Sequence, residues 1–536
     1  MQDERVFCPP HFRQQRQDVT LALPLRHRGA DPYRLGPLHC QSGAWMSSAI
    51  YHQLQGLYVA GDVYCAIDCA RALPEYRHVF FINHEHGFNP ELLELLTGMG
   101  CTVRRHALVT EADITPELRA VIYHCVGNDD RHRGEYVRFR QAPPGVALFA
   151  WIHTPGLCGG LAERYNYLQG RGISRYIFAS SFSLHHTPGI ERREHAPRAI
   201  IHPSIDTEHH GVVRRVTDGT FRLGRWSRGD DRKYSDDFLD LVDSIDIPGS
   251  EFLCMGIPGK FRGARLPTRV RFLENGAMPV EQFLSQLDVL IFKTDTSSWH
   301  EGWCRTVTEA MAAGVVPVVE NRGGIVDQVL HGHNGFLCDS NEEFKHYCEL
   351  LHREPELRQR MSMNAKAFTA RNFGLKQLRA DLLRLLEPGS ARRLHLGYGP
   401  DVRPGFVRFS THPASALKGE FEVDPFNPQL PFEDEAFDEI HGVHFIQHMA
   451  HKVRILEELW RIARHNAVIH LRLPDRRHGD AFLDPTHLSY WEVDSIDFFV
   501  PGHRRGQLPA SFGLLHKHSN GREISWELLA LRHRRA

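Results

Sequence analysis

The sequence lacks a charge imbalance, a long apolar run and a regular spacing of cysteines. Its 64 basic and 65 acidic residues leave a net charge of −1, so bulk charge does not indicate nucleic acid or a membrane surface as a partner. Because no run of about 18 apolar residues occurs, we expect neither a signal peptide nor a spanning helix. The 11 cysteines are scattered, which predicts reduced thiols in a cytoplasm. We expect that any membrane contact would be peripheral, at the inner face of the membrane.

What is present is an alternation of short apolar segments with amphipathic or looped ones. At 536 residues, the chain should hold about three or four compact units. Residues 1–45 form an N-terminal extension rich in Arg, Pro, Gln and His, to which we assign no function. From Ile50 onward, segments such as HVFFIN, AVIYHCVG and VALFAWIHTPG predict an α/β fold with doubly wound parallel sheets.

The stretch 292–336 carries two carboxylates at one predicted strand-to-helix turn. Seven residues separate Glu301 from Glu309, and a solvent-facing acidic pair is the plain alternative. We favour a ligand site, because an unpaired carboxylate on a helix packed between strands is costly. Gly323 and Gly324 follow the buried strand VVPVVE, where a glycine pair lets backbone amides approach an anion such as a diphosphate.

This stretch, EGWCRTVTEAMAAGVVPVVENRGGIVDQVLHGHNGFL, resembles the donor-binding half of the group 1 (family 4) retaining glycosyltransferases, which have the GT-B fold of two Rossmann-like lobes. The resemblance implies that Glu309 accepts hydrogen bonds from the ribose of a sugar nucleotide. It also implies that Glu301 lies beside the donor sugar. Asp327 stands where the family usually has Glu.

Upstream, GRWSRGDDRK matches the cations that this family uses against the donor diphosphate. The matching residues are Arg225 and Lys233, with Arg228 as a third candidate. Two cations suit a departing diphosphate, because stabilising developing charge is where such a site gains most rate. A surface loop of mixed charge is the alternative for the motif taken alone.

In the first half of the chain, Gly61 and His153 match family positions. Gly61 begins a turn into a helix where the family has a glycine loop near the donor phosphates. His153 follows the strand LFAWI, where the family often places a histidine against the donor sugar; taken alone, a strand-end histidine is more often structural. The run RHRGEYVRFR over 131–140 predicts a solvated helix face, with contact to an anionic acceptor or lipid head groups as the alternative.

Beyond residue 388, LHLGYGPDVRPGFVRF and ILEELWRIARHNAVIHLRLPD resemble a class I S-adenosylmethionine-dependent methyltransferase. Gly397 and Gly399 match its glycine loop. Ser410 stands where an acidic ribose ligand is expected, and the customary Lys-Pro-Gly-Gly turn has become residues 464–467. We therefore predict a degenerate domain that binds S-adenosylmethionine weakly or not at all; a ribose contact shifted to Glu422 or Asp424 is the competing explanation.

Together these patterns predict a first lobe over 46–205, a donor lobe over 206–388 and a methyltransferase-like α/β domain over 392–536. We expect a metal-independent retaining glycosyltransferase that needs no cofactor. It would move a sugar from a nucleotide-sugar donor to a glycan or glycolipid acceptor. The resemblance implies a role in surface polysaccharide synthesis, because many members of the family act there. The alternatives are a bifunctional glycosyltransferase and methyltransferase, or a non-enzymatic scaffold that binds nucleotide sugars.

Overall fold

The computed structural model describes residues 48–531, apart from 59, 84–87, 125–136, 154–167, 169, 188–196, 212–215, 217, 264–265, 296–299, 388–390, 398–404, 410–422 and 502–509. All of these residues belong to one compact unit, 45–536. The predicted extension over 1–45, together with Gly399, Ser410 and Glu422, lies outside the described residues. Within the described ranges, no helix is both long and apolar enough to cross a membrane.

The described strands form three sheets, and the predicted α/β class is confirmed. The first sheet contains Ala49–Leu54 (β1), Arg77–Ile82 (β2), Thr102–Arg105 (β3), Leu118–His124 (β4), Ala147–Ile152 (β5), Arg175–Phe178 (β6) and Arg198–Ile200 (β7). The second contains Arg222–Trp226 (β8), Glu251–Met255 (β9), Val270–Leu273 (β10), Val289–Phe292 (β11), Val316–Glu320 (β12) and Phe336–Cys338 (β13). The third contains Arg393–Gly397 (β14), Phe406–Phe409 (β15), Phe437–Val443 (β16), Ala463–Pro474 (β17), Phe512–Ser519 (β18) and Glu523–Ala530 (β19).

Helices connect and cover these strands, as parallel pairing requires. The described helices are Gly61–Ala72 (α1), Pro90–Gly98 (α2), Ser181–His185 (α3), Thr207–Gly211 (α4), Phe238–Ser244 (α5), Val280–Leu284 (α6), Arg305–Ala312 (α7), Asn341–Arg353 (α8), Pro355–Asn372 (α9), Leu375–Leu386 (α10), Lys452–Ile462 (α11) and Asp480–Leu483 (α12).

The strand order reverses once in each of the first two sheets. The orders are β3-β2-β1-β4-β5-β6-β7 and β10-β9-β8-β11-β12-β13, with parallel pairing throughout. In open sheets of this kind, ligands bind at the carboxyl ends of the strands beside the reversal. We therefore look for a site beyond β1 and β4 in the first lobe, and beyond β8 and β11 in the second. The third sheet has the order β15-β14-β16-β17-β19-β18, with β19 antiparallel to both neighbours.

Two contacts tie these layers together. The last helix before the third sheet, α10, buries Leu378 and Leu382 against Cys65 and Cys69 of α1, so it crosses back to the first lobe as the family resemblance implies. The third sheet buries Leu529 in the same core as Ile200 of the first sheet. The C-terminal domain therefore packs on the edge of the first lobe.

The basic run over 131–140 is described only from Val137 onward. Residues 137–140 are not helical, and Val137 and Phe139 are buried while Arg138 and Arg140 are exposed. The predicted helix face is wrong for these four residues, because inward and outward side chains alternate as they do along extended chain.

Candidate functional site

Lys233 and Glu301 meet directly beyond the reversal point of the second sheet. The Nζ atom of Lys233 lies 2.7 Å from Oε1 of Glu301, and their side chains are only 15% and 8% exposed. Lys233 ends a 3-10 turn, Asp231–Lys233, that follows β8, whereas Glu301 lies between β11 and α7. Two residues that the sequence analysis assigned to separate parts of a donor therefore form one ion pair.

Arg225 lies inside the lobe and holds the loop that carries Lys233. Its side chain is fully buried on β8, between the rings of Tyr234 and Phe292, each 4.1 Å from the guanidinium carbon. It donates hydrogen bonds to the backbone carbonyls of Lys293, at 2.9 Å, and of Lys233. This geometry favours a positioning role, and direct contact of Arg225 with a diphosphate stays a prediction.

Arg228 and Gly61 are both exposed. The structure gives Arg228 no ion-pair partner within the described ranges, so its guanidinium is available to an anion. Gly61 begins α1, and a Cβ at this position would meet no atom within 4 Å. The space beside α1 would therefore also admit a larger residue, and the proximity of Gly61 to the donor phosphates stays a prediction.

Glu309 belongs to a buried charge network that joins the two lobes. Its Oε1 accepts a hydrogen bond from Nε of Arg305 at 2.9 Å, one helical turn earlier on α7. Arg305 also donates to Oδ2 of Asp68 on α1, at 3.1 Å, and to the carbonyl of Ser204, at 3.1 Å. One guanidinium thus neutralises a carboxylate from each lobe, which fixes α7 against α1.

The second oxygen of Glu309, Oε2, is buried without a hydrogen-bond partner in the part of the chain that the structure describes. The indole N–H of Trp226, at the end of β8, is buried and unpartnered as well. It lies near enough to favour the charged form of Glu309, but the two groups form no hydrogen bond of normal geometry. Burial raises the pKa of Glu309 to about 7, against the opposing effect of Arg305. A buried acceptor and a buried donor without partners are costly unless a ligand satisfies them.

The glycine pair packs against the backbone that carries Glu301. Gly323 has a φ of +64°, and a Cβ there would lie 2.7 Å from the carbonyl oxygen of Glu301. A Cβ on Gly324 would lie 1.9 Å from the carbonyl oxygen of Gly302, and the Gly324 amide donates to the Glu301 carbonyl at 2.7 Å. Both glycines are therefore required for close backbone approach, which places the Glu301 side chain.

Asp327, at the end of the same 3-10 turn, Gly323–Asp327, bridges to the first lobe. It is 1% exposed and accepts hydrogen bonds from the backbone amide of Ser181, at 2.7 Å, and from the Ser181 hydroxyl. Ser181 begins helix α3. The aspartate that departs from the family pattern thus makes a contact between lobes.

His153 directly follows β5 and is half-buried. Its Nε2 lies 3.3 Å from Nδ1 of His124, the last residue of β4. Burial lowers the pKa of His153 to about 3, so the imidazole is neutral at physiological pH. The other ring nitrogen of His153 therefore offers a lone pair or a proton, depending on the tautomer.

In the third sheet, Gly397 ends β14 with a φ of +146°, and a Cβ there would lie 2.2 Å from the Val443 carbonyl. Asp424 is exposed and caps the Phe426 amide at 2.9 Å. In the turn over 464–467, the side-chain amide of Asn466 pairs with both backbone groups of Ile200, at 2.7 and 2.6 Å. That turn therefore contacts the edge strand β7 of the first lobe.

Arg305, Asp68 and three histidines linked in a row to His153 were not predicted from the sequence. Arg305 and Asp68 are far apart in sequence and meet only through packing of the lobes, so no local pattern marks them. The histidines carried a signal: His52, His78 and His124 each lie within a strand segment of mostly apolar residues.

Potential metal ligands cluster at three places within the described ranges, where the ligand atoms of three residues lie within 4.8 Å of one another. The clusters are Cys65, His124 and His153; Glu439, His441 and His470; and His448, Asp484 and His487. Both ring nitrogens of His124 are already engaged by imidazoles, and His441 is bonded to Glu439 at 2.6 Å. The Lys233–Glu301 pair belongs to none of the three.

With this geometry in hand, the two lobes resemble GT-B glycosyltransferases in fold. The chain is similar to the crystal structure of Anabaena HepE in complex with UDP, with a TM-score of 0.51 and 16% identity. That match covers 64% of this chain and 100% of the other. The structure of HepE in complex with UDP-glucose gives a TM-score of 0.50 and 17% identity, over 63% of this chain and 100% of that one.

Residues 262–368 match the model of the family described as glycosyl transferases group 1. This segment contains Glu301, Glu309 and the glycine pair. Among curated proteins, spore coat protein SA of Bacillus subtilis (strain 168) is 32% identical over 95 residues. The match covers 17% of this chain and only 25% of that relative, so the likeness is confined to one segment.

Proposed function

We propose that the protein is a retaining glycosyltransferase that moves a sugar from a nucleotide-sugar donor to a glycan or glycolipid acceptor, in surface polysaccharide synthesis. The observation that carries the proposal is the unpartnered Oε2 of Glu309. A ribose hydroxyl would donate to this oxygen and remove the cost of leaving a buried acceptor unsatisfied. The other oxygen, Oε1, is held by Arg305, so the carboxylate is oriented before the ligand arrives.

The Lys233–Glu301 pair gives the donor site its charge. In the proposed complex, the donor diphosphate takes Glu301's place as the partner of Lys233, and exposed Arg228 supplies a second cation. Glu301 is then released to accept hydrogen bonds from hydroxyls of the donor sugar. Because the Lys233 side chain is only 15% exposed, its positive charge acts on the diphosphate more strongly than it would in water.

Transfer with retention needs little further from the chain. The bond between the anomeric carbon and the diphosphate oxygen breaks, while the acceptor oxygen attacks from the same face. The acceptor proton passes to the departing phosphate, so no enzymic base of special pKa is required. Lys233 and Arg228 supply the positive charge that a divalent cation would otherwise bring, which supports metal-independent turnover.

Binding of nucleotide sugars tests the proposal directly. Purified protein is melted with a panel of nucleotide sugars, beginning with UDP-glucose because the structural neighbour HepE was crystallised with it. A ligand at 100 times its dissociation constant raises stability by about 2.7 kcal/mol. The Glu309→Ala variant should lose this shift, while Glu356→Ala, at an exposed position of α9, should keep it. A panel without any shift in the wild-type protein would end the transferase proposal.

We also propose that the C-terminal domain is methyltransferase-like and serves to brace the first lobe. The open sheet with Gly397 at the end of its first strand supports this kinship, and the contacts of residues 465–466 with Ile200 support the bracing role. Titrating the full chain with S-adenosylmethionine tests it. Micromolar affinity, on the order of −8 kcal/mol, would favour the bifunctional alternative.

A further inference from the structure

Four histidines form a continuous row across four neighbouring strands of the first sheet. His78 lies on β2, His52 on β1, His124 on β4 and His153 directly after β5, in the spatial order of the strands. Neighbouring rings are stacked, with centroids 5.2, 5.5 and 5.6 Å apart. The row runs from the interior of the lobe to the strand end beside the predicted donor sugar.

Adjacent ring nitrogens along the row lie within hydrogen-bonding distance. Nε2 of His78 lies 2.9 Å from the Leu73 carbonyl, and Nδ1 of His78 lies 2.9 Å from Nε2 of His52. Nδ1 of His52 is 3.2 Å from Nε2 of His124. Nδ1 of His124 is 3.3 Å from Nε2 of His153. Every link therefore joins an Nδ1 atom to the Nε2 atom of the next histidine.

The Leu73 carbonyl determines which nitrogen donates in each hydrogen bond of the row. A carbonyl only accepts, so Nε2 of His78 must carry a proton. In a neutral imidazole Nδ1 is then the acceptor, so Nε2 of His52 must donate to it. The same step repeats at His124 and at His153. The Leu73 carbonyl thus determines the tautomer of all four rings.

The surroundings favour neutral rings, as this argument requires. Burial lowers the pKa of His52, His78, His124 and His153. The carboxylate of Glu75 and the Leu73 carbonyl act in the opposite direction, at His78 only. The thiol of Cys65, on the overlying helix α1, faces His124 and His153, and burial raises the pKa of that thiol, so it is uncharged too.

We propose that His52, His78 and His124 are positioning residues that lock His153 in the Nε2–H tautomer, so that Nδ1, the ring nitrogen of His153 outside the row, is a hydrogen-bond acceptor. Under the proposed function, on which this last step rests, the partner is a hydroxyl of the donor sugar. A protonated or Nδ1–H histidine would instead offer a donor and would leave that hydroxyl without an acceptor. The row therefore selects how a hydroxyl is oriented, without taking a proton itself.

The test reads the His153 ring by NMR in the full chain, with histidine labelled with ¹⁵N and ¹³C and the His153 signals assigned by their loss in His153→Gln. In the wild-type protein we expect a single Nε2–H tautomer that does not titrate between about pH 5 and about pH 8. His52→Phe keeps an aromatic ring but breaks the row, so the Nδ1–H form should appear at His153. His52→Gln keeps a donor and an acceptor and should restore the wild-type signals.

Circular dichroism and melting temperature show whether each variant folds, and His78→Phe provides a second break in the row, at the Leu73 anchor, if His52→Phe does not fold. A titrating or Nδ1–H His153 in the wild-type protein, or an unchanged tautomer in a folded His52→Phe variant, would overturn the proposal. These measurements need no substrate, so their outcome is independent of the glycosyltransferase proposal. If transfer is measured, His52→Phe should lower kcat more than it raises KM, and His52→Gln should recover most of kcat.

Discussion

Binding of a nucleotide sugar should strengthen as the pH rises through the pKa of Glu309. The group is buried, and burial raises its pKa to about 7 even beside Arg305. Below this value the carboxyl carries a proton and loses the charge that makes it a strong acceptor for ribose hydroxyls. Above it, the ionised form is present before the ligand arrives.

The size of the effect follows from the pKa. One pH unit below it, about one molecule in ten carries the charge, so affinity should fall about tenfold per pH unit, or about 1.4 kcal/mol. The four stacked histidines add no pH dependence in this range, because burial keeps their pKa values low. A nucleotide sugar adds none either, because both of its phosphates are esterified and lack the second ionisation near about pH 6.

Calorimetry with UDP-glucose, or with whichever nucleotide sugar the panel identifies, measures the dependence between about pH 5.5 and about pH 8.5. Repeating each titration in buffers of different ionisation enthalpy reports the proton released on binding near neutral pH. Glu309→Gln keeps the shape of the side chain but cannot ionise, so its weaker affinity should not vary with pH. Affinity of the wild-type protein that is flat across this range, or a slope that persists in Glu309→Gln, would refute the reasoning.

Four further outcomes are expected. Relative to Glu309→Gln, the ligand-free wild-type protein should lose roughly 3 kcal/mol of stability in urea as the pH rises from about 4.5 to about 7, because a carboxyl with a raised folded-state pKa stabilises only below that pKa; the difference between the two proteins removes the opposite contribution of the buried histidines, whose pKa values are lowered. Arg305→Met should cost about 3 kcal/mol, since it leaves the buried Glu309 carboxylate uncompensated and Asp68 with Arg71 as its remaining cation, and adding Asp68→Asn should recover part of that loss in a double-mutant cycle. Asn466→Ala should cost about 2 kcal/mol, because the Ile200 amide loses its acceptor and the Ile200 carbonyl keeps only His465, whereas Asn520→Ala, in the exposed turn before β19, should cost less. Turnover should survive EDTA, and activity that vanished with EDTA and returned with Mn²⁺ would contradict the metal-independent mechanism.

Local sequence patterns predicted the fold class and identified some of the residues of the candidate site. Buried parallel strands such as β12 are visible as continuous apolar runs, and the carboxylates of the following loop and helix lie in one short stretch. The pairing of Lys233 with Glu301 joins residues 68 positions apart. Sequence analysis placed both residues near the donor, but their direct contact depends on the exact path of two loops.

The remaining features depend on contacts between lobes, which no window of sequence records. Arg305 lies one turn before Glu309, a spacing that equally suits an ion pair on a helix surface, and only the contact with Asp68 distinguishes the buried network. Arg225 shows the opposite case. Its motif fits an anion-binding arginine, yet the aromatic rings around it and two backbone carbonyls use the guanidinium within the lobe.

The turn over 464–467 combines a glycine-like backbone geometry with a side-chain contact to the first sheet. Asn466 has a φ of +64°, a conformation that asparagine tolerates better than other residues with a side chain. Unlike glycine, it carries an amide, and that amide pairs with the outward N–H and carbonyl of Ile200 on the edge strand β7. An exposed strand edge is a liability that a covering element removes. Because His465 also contacts the Ile200 carbonyl, at 3.1 Å, this turn joins the C-terminal domain to the lobe that holds the histidine row through two consecutive side chains.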